Sequence, residues 1–159
     1  MSAHIENKIY CPCGAVDPIT SRRFNYSNCC EPLHGGRAAR SPEALMRARF
    51  SAYAFKISDY LLQSWHPDFR PGHINLSDSI RWCQLHISHS HDDDKEGQVR
   101  FTAIYFANGQ WFRLAECSQF VKQKQDWLYT EGSAQVQAFK PKRNEPCPCG
   151  SGLKAKRCC

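Results

Sequence analysis

Two hydrophobic rhythms divide the middle of the chain. After Ser41-Pro42-Glu43, the residues Met46, Phe50, Tyr53, Ala54 and Ile57 recur at helical spacing and form one apolar stripe. Ser41 suits the N-cap, Pro42 the first helical position, and Glu43 complements the positive end of the helix dipole. Ser58 is placed to cap a shorter helix through Asp59, Tyr60, Leu61, Leu62 and Trp65. That helix ends at His66-Pro67, because the residue before proline avoids helical backbone. Further on the period shortens to two, with candidate strands over 81–89, 98–107, 111–122 and 126–131. Asp92-Asp93-Asp94 and Gly97 separate the first pair, Asn108-Gly109 signals a tight hairpin, and Gln125-Asp126 lies in the last turn. Helices followed by strands with short connections predict an α+β fold, helices packed on an antiparallel meander.

The strand faces place polar groups among apolar ones. Phe112, Leu114, Glu116, Ser118 and Phe120 share one side of strand 111–122, and Trp127, Tyr129 and Glu131 share one side of the last strand. A helix pair folded against a curved sheet leaves a cavity lined by such residues. Glu116 is then either a site group or a structural partner of Arg47 or Arg49.

The cysteines lie outside these rhythms. Cys147-Pro148-Cys149-Gly150 is followed, after eight residues beyond Cys149, by Cys158-Cys159. Pro148 fixes φ and Gly150 permits a left-handed step, so Cys147 and Cys149 can chelate from one turn while Ser151-Gly152 sends the chain back. Cys11-Pro12-Cys13-Gly14 and Cys29-Cys30 repeat the pattern with a fifteen-residue gap, seven more than in the C-terminal copy. The added length reads as a longer turn between ligand pairs, at a cost of only about 0.6 kcal/mol per doubling of a loop. Four thiolates per cluster predict two zinc sites: Cys147, Cys149, Cys158 and Cys159, and Cys11, Cys13, Cys29 and Cys30. His34 is a substitute ligand if Cys29-Cys30 cannot turn both sulfurs inward. Whether the clusters bind separate ions or combine stays open.

Disulfides are the competing reading of ten cysteines in 159 residues. Against them, Met1–Asn7 contains no apolar run of an export signal, and adjacent cysteines make poor disulfide partners. A cytoplasmic protein is expected, and no stretch reaches the roughly eighteen apolar residues of a membrane span. Cys83 and Cys117 are expected as small buried hydrophobes. His86, His89 and His91, beside the acidic run, read as solvated strand-end residues.

Charge is uneven. Residues 140–159 carry six Lys/Arg against one Asp/Glu, whereas 41–139 carry ten against eleven and 1–40 five against three. Two zinc tetrathiolate sites would lower the formal +6 to about +2, so Lys154, Lys156 and Arg157 either neutralise the thiolates or form a docking surface for an acidic partner. No aromatic residue is interleaved with these cations, which argues against nucleic acid.

CPCGSGLKAKRCC closely resembles the SEC-C motif, the zinc element at the C-terminus of the SecA translocase ATPase. The N-terminal CPCG…CC, the stretch Leu45-Met46-Arg47-Ala48-Arg49-Phe50-Ser51-Ala52-Tyr53, and Trp65-His66-Pro67 together resemble the YchJ family of bacterial proteins. That resemblance covers nearly the whole chain. It implies a nuclear-transport-factor-2-like (NTF2-like, cystatin-like) domain over 41–139, with SEC-C elements over 1–40 and 140–159. SEC-C motifs usually carry Lys and an aromatic residue where this chain has Leu153 and Ala155. The change implies weaker packing around the metal and an altered surface toward SecB-type partners.

Two functions compete. The first is a zinc-binding protein-interaction module, docking a protein partner through the basic C-terminal motif. The second is a small-ligand receptor, or an isomerase- or dehydratase-like enzyme of the kind the resemblance implies, with a small molecule in the cavity. Glu116, His66 and Tyr129 are then the candidate catalytic or orienting groups. No second titratable residue is held beside any of them by local spacing, and a closed four-sulfur shell leaves zinc no open position for catalysis. The interaction module is the preferred expectation.

Overall fold

The structure, a computed structural model, describes residues 8–159; Met1–Asn7, read above for an export signal, lies outside the described residues. Three helices, α1 (Glu31–His34), α2 (Pro42–Phe55) and α3 (Ser58–Gln63), precede four strands, β1 (Ile80–Asp92), β2 (Glu96–Ala107), β3 (Gln110–Gln123) and β4 (Asp126–Phe139). The strands form one antiparallel sheet in chain order, β1-β2-β3-β4. Register shifts at Trp82/Gln84, Ile87/His89 and Ser118/Phe120 each add a residue to one strand of a pair. Bulges of this kind bend and twist the ladder, which curves the sheet around the helix layer.

Helix α2 begins as its sequence predicts. Ser41 Oγ accepts a hydrogen bond from the Ala44 amide at 3.1 Å, and Pro42 opens the first turn. Lys56 closes the helix in the left-handed region, at φ 59°. Its apolar surface is wider than the predicted stripe. Met46 and Phe50 are buried as expected, but Leu45, Ala48 and Ala52 are buried too. Leu45, Met46, Ala48 and Phe50 belong to a core that includes Cys11, Cys13 and Cys30 on one side and Val99, Phe101 and Phe120 of the sheet on the other. The helix therefore lies between the sheet and the N-terminal cysteine element. Small residues at 48 and 52 let the two layers approach.

Helix α3 starts one residue earlier than its cap was placed. Ile57 stands at the N-cap without a side-chain bond, and Ser58 is already helical. Beyond α3, Ser64–His66 runs alongside β4. His66 N–H donates to Tyr129 O at 2.7 Å, Tyr129 N–H donates to Ser64 O at 2.8 Å, and Trp65 Nε1 donates to Thr130 O at 2.9 Å.

The strands run longer than predicted, most of all β4, which continues from residue 131 to Phe139. Residues 132–138 are all exposed yet remain paired to β3. Ala134, Val136 and Ala138 alternate there with Ser133, Gln135 and Gln137, a period-two signal that continues past the predicted end at residue 131. The hairpin at Asn108-Gly109 has both residues at positive φ, 51° and 75°, as a two-residue primed turn requires. The last turn is Lys124-Gln125, not Gln125-Asp126: Lys124 takes the left-handed position at φ 56°, and Asp126 pairs with Gln123. A Cβ on Gly97 would come within 2.3 Å of Pro42 Cγ, so glycine in β2 admits the first turn of α2 against the sheet.

Candidate metal centres and central cavity

The two cysteine clusters share one local geometry. In each, a single 3-10 turn precedes the adjacent cysteines: Tyr26–Asn28 before Cys29-Cys30, and Ala155–Arg157 before Cys158-Cys159. The backbone at Cys29 (φ −129°, ψ −94°) nearly equals that at Cys158 (φ −129°, ψ −104°). Gly14 donates to Cys11 O at 3.2 Å, and Gly150 to Cys147 O at 3.2 Å; both glycines have positive φ. The chain then returns in the same way, with Cys11 N–H donating to Phe24 O at 2.9 Å and Cys147 N–H to Leu153 O at 2.8 Å. The extra residues of the N-terminal copy form a hairpin. Val16 bridges Arg23, and the Asp17 carboxylate accepts from the Ile19 and Thr20 amides. A longer turn between ligand pairs is what the spacing implied.

Within each cluster the four sulfurs all lie within 4.8 Å of one another. Cys13–Cys29 is 3.5 Å, Cys29–Cys30 4.0 Å, Cys149–Cys158 3.4 Å and Cys158–Cys159 3.7 Å. A tetrahedral ion with metal–sulfur bonds of about 2.3 Å has sulfur–sulfur edges of about 3.7 Å, so both donor sets fit such an ion. All ten cysteines are free thiols. Metal-capable groups of His, Cys, Asp and Glu among the described residues are these two clusters; His86, His89 and His91 form none. His34 is not a ligand: its Nδ1 lies 2.7 Å from the Tyr26 hydroxyl and its Nε2 2.8 Å from Ala48 O.

Packed thiols cannot all ionise without a cation. Hydrogen bonding from Cys13, then from Cys29 and Cys30, holds Cys11 far below the ordinary thiol range, and bonding to Cys11 first pushes Cys29 and Cys30 far above it. In the C-terminal cluster the Ser151 hydroxyl brings Cys149 down to about 6. Arg81 pulls Cys159 down, but burial and the neighbouring thiols outweigh it and raise Cys159 to about 12. A divalent ion removes that competition by binding all four as thiolates.

The clusters differ in their surroundings. Cys11, Cys13 and Cys30 are buried, Cys11 Sγ lies 3.4 Å from the buried Ser51 hydroxyl, and Arg47 Nη1 donates to Cys13 O at 3.1 Å. The C-terminal cluster sits on the outer strand, where Arg81 Nη2 reaches Cys159 Sγ at 3.4 Å and Gln84 Nε2 donates to Pro148 O at 3.0 Å. Cys158 and Cys159 are exposed. Cys83 and Cys117, expected as buried hydrophobes, are only half-buried, because Cys83 occupies the first β1 bulge and Cys117 faces away from the helices.

Between α2 and the sheet lies a cavity of about 190 Å³, walled by Phe50, Trp82, Phe101 and Leu114 and carrying Arg49, Glu116 and Tyr129. Glu116 does not pair with either predicted arginine. Arg47 finds a carboxylate one turn back, Nε to Glu43 Oε1 at 3.1 Å, and Arg49 Nη1 donates to Leu61 O at 2.9 Å and Ser64 Oγ at 2.7 Å. Glu116 Oε1 instead accepts from Ser118 Oγ at 2.7 Å and from the Tyr129 hydroxyl at 3.1 Å. Burial, with the nearby Glu116 charge, raises the Tyr129 phenol well above its ordinary range, so it stays a neutral donor. His66 does not join them: Gln123 Nε2 lies 2.7 Å from its Nε2, and the Asp68 amide donates to its Nδ1 at 3.1 Å. Sequence reasoning names Arg49 only as a structural partner for Glu116, not as a cavity residue. Its position between Met46 and Phe50 on the apolar side of α2 was the available signal.

Comparison with known proteins agrees with this arrangement. The NTF2-like middle domain of YchJ matches residues 41–132, and the SEC-C motif matches residues 143–159. A UPF0225 protein of Vibrio cholerae is 38% identical over 156 residues, covering 94% of this chain and 98% of its own. One of Vibrio parahaemolyticus is 35% identical over 170 residues, covering 94% and 97%. The solution structure of a SEC-C motif containing protein from Rhodopseudomonas palustris has a TM-score of 0.68 at 32% identity, over 79% of this chain and 98% of that one. The crystal structure of another from Psychrobacter arcticus has a TM-score of 0.64 at 26% identity, over 94% of each chain. With nearly full-length relatives and both sequence elements in place, the chain belongs to the UPF0225, or YchJ, family, in which an NTF2-like middle domain is joined to a SEC-C motif.

Proposed function

We propose that this protein is a zinc-stapled interaction module that binds an acidic segment of a protein partner through its C-terminal knuckle. The observation that carries the reading is one surface: Lys154, Lys156 and Arg157 are exposed beside Leu153, itself 53% exposed, and none of the three cations has an ion-pair partner among the described residues. Free cations around an exposed leucine suit a partner of acidic and apolar residues. Zinc is the metal best matched to four thiolates in a tetrahedron. With its shell closed by sulfur it acts as a staple rather than as a catalyst. Cys11, Cys13, Cys29 and Cys30 hold one ion, and Cys147, Cys149, Cys158 and Cys159 the other. Eight thiols gathered into two metal-fitting clusters suit a reducing cytoplasm, where disulfides do not persist. No helix among the described residues is long and apolar enough to cross a membrane.

Native mass spectrometry of protein purified without added metal should count two zinc ions. Cross-linking in source cells should then join the C-terminal knuckle to an acidic segment of an identified protein. Charge reversal at Lys154, Lys156 and Arg157 should abolish that cross-link while both zinc ions stay bound. A partner retained by the charge-reversed protein overturns the docking surface, and any other metal or stoichiometry overturns the zinc assignment.

A further inference from the structure

The cavity beneath α2 contains a buried cation that the protein itself does not neutralise. Arg49 is 3% exposed, yet no carboxylate lies within ion-pair distance of it among the described residues. An uncompensated charge in an apolar site is costly, by several kcal/mol even after relaxation. Both of its recorded hydrogen bonds leave from Nη1, and no buried side-chain nitrogen among the described residues lacks a partner. Nε and Nη2 therefore retain open surface, and the space Arg49 lines is the cavity. Its guanidinium carbon lies over the rings of Trp65 (4.8 Å from the ring centre) and Tyr129 (4.4 Å). Nε and Nη2, on one edge of the group, are the donors left for a ligand. A guanidinium edge with parallel N–H donors is shaped for a carboxylate.

Glu116 is the carboxylate lining the same cavity, and its recorded bonds both fall on Oε1. Oε2 remains an acceptor. The backbone makes room for this side chain: a Cβ on Gly132 would come within 2.0 Å of Glu116 Oε1. Cation and anion thus share an apolar chamber without touching each other. The volume, about 190 Å³, is somewhat above the roughly 150 Å³ that admits benzene, enough for a ring or branched chain with a short polar tail.

We propose that this cavity binds a small carboxylate with an apolar body and an adjacent hydroxyl or amine, the carboxylate seated on the Arg49 edge and the donor on Glu116. The site is independent of the docking surface on the C-terminal knuckle.

Mandelate is a suitable probe, because it carries a ring, a carboxylate and a neighbouring hydroxyl; phenylacetate lacks the hydroxyl, and 1-phenylethane-1,2-diol lacks the carboxylate. Each is titrated into the zinc-loaded full chain while the indole N–H signals of Trp65 and Trp82 are followed by NMR. Mandelate should give saturable shifts at both, with the diol weaker by about tenfold or more, as loss of a charge-assisted bidentate contact implies. Glu116→Gln should weaken mandelate and leave phenylacetate unchanged. Arg49→Lys, which keeps the charge and loses the fork, should weaken both acids and not the diol. If that variant does not fold, the ratio of mandelate to diol in the unaltered protein decides. Three outcomes overturn the proposal: no saturable shift, a diol that binds as tightly as mandelate, or acid-induced shifts confined to Lys154, Lys156 and Arg157.

Discussion

Arg47 of α2 donates to the carbonyl oxygen of Cys13 at 3.1 Å, joining the longest helix directly to the N-terminal cysteine cluster. The same side chain holds Glu43 one turn earlier. Through this contact, the cluster and the layer of α2 that packs on it form one unit. The two metal centres should therefore respond differently when they are emptied.

Cys11→Ala with Cys13→Ala should cost the whole protein its stability, not just one zinc. Both sulfurs are buried in the core that contains Leu45 and Ala48, and metal binding at such sites is worth many kcal/mol of folding free energy. A fall of roughly 3 kcal/mol or more in denaturant unfolding is expected. Unchanged stability with one zinc lost would show that the cluster is peripheral.

Cys147→Ala with Cys149→Ala should instead release one zinc and disturb little beyond residues 143–159 and the β1 contacts of Arg81 and Gln84. The knuckle meets β1 through Arg81 and Gln84 and buries Cys147 and Pro148, outside the central core. Amide NMR spectra should keep the signals of α2 and β2–β4 in place. Cooperative unfolding of the entire chain would contradict this.

Acidification should empty the outer centre first. Metal binding displaces protons from the thiols, so apparent affinity falls as pH drops, with a slope set by the protons regained. Cys158 and Cys159 are open to solvent, whereas Cys11 and Cys13 are enclosed. Zinc release followed with a chromogenic chelator should occur in two steps. The first should be absent from the Cys147→Ala, Cys149→Ala protein.

Gly97→Ala should destabilise the domain by about 2 kcal/mol, a typical cost of overpacking. The added methyl meets the rigid ring of Pro42, with Cγ at 2.3 Å, and neither the ring nor the paired strand can turn aside. Thermal melting of the zinc-loaded protein measures the effect. Pro42→Ala combined with Gly97→Ala should recover part of the loss.

The ligand clusters, the start of α2 and the meander were legible because each rests on short-range chemistry: thiol spacing, a serine cap before proline, and alternation broken by Asn-Gly. The breadth of the α2 interface was not. Leu45 and Ala48 fall outside the stripe through Met46 and Phe50, and they share a core with Cys11, Cys13 and Cys30, an element that local periodicity cannot see. Glu116 was singled out by its apolar strand neighbours, but its partners come from Ser118 and from Tyr129 across the register shift at Ser118/Phe120. A bulge leaves no mark in a period-two count. In the sequence Arg49 reads as a structural partner of Glu116, but it bonds Leu61 O and Ser64 Oγ and lies over Trp65 and Tyr129, contacts that only the fold brings together.

The matched backbone of the two knuckles has a consequence for how the chain can vary. One copy carries Phe24 and Tyr26 at the positions where the other carries Leu153 and Ala155, and Tyr26 is tied through His34 to the helix while Leu153 stands in solvent. The inner copy is bound at Cys11, Cys13, Tyr26 and Cys30, so a change at these positions must be matched by a change in α2. The outer copy is bound chiefly by its sulfurs and its glycine turn. Its remaining positions are free to be rewritten, and a new specificity can arise there without any repair elsewhere in the fold.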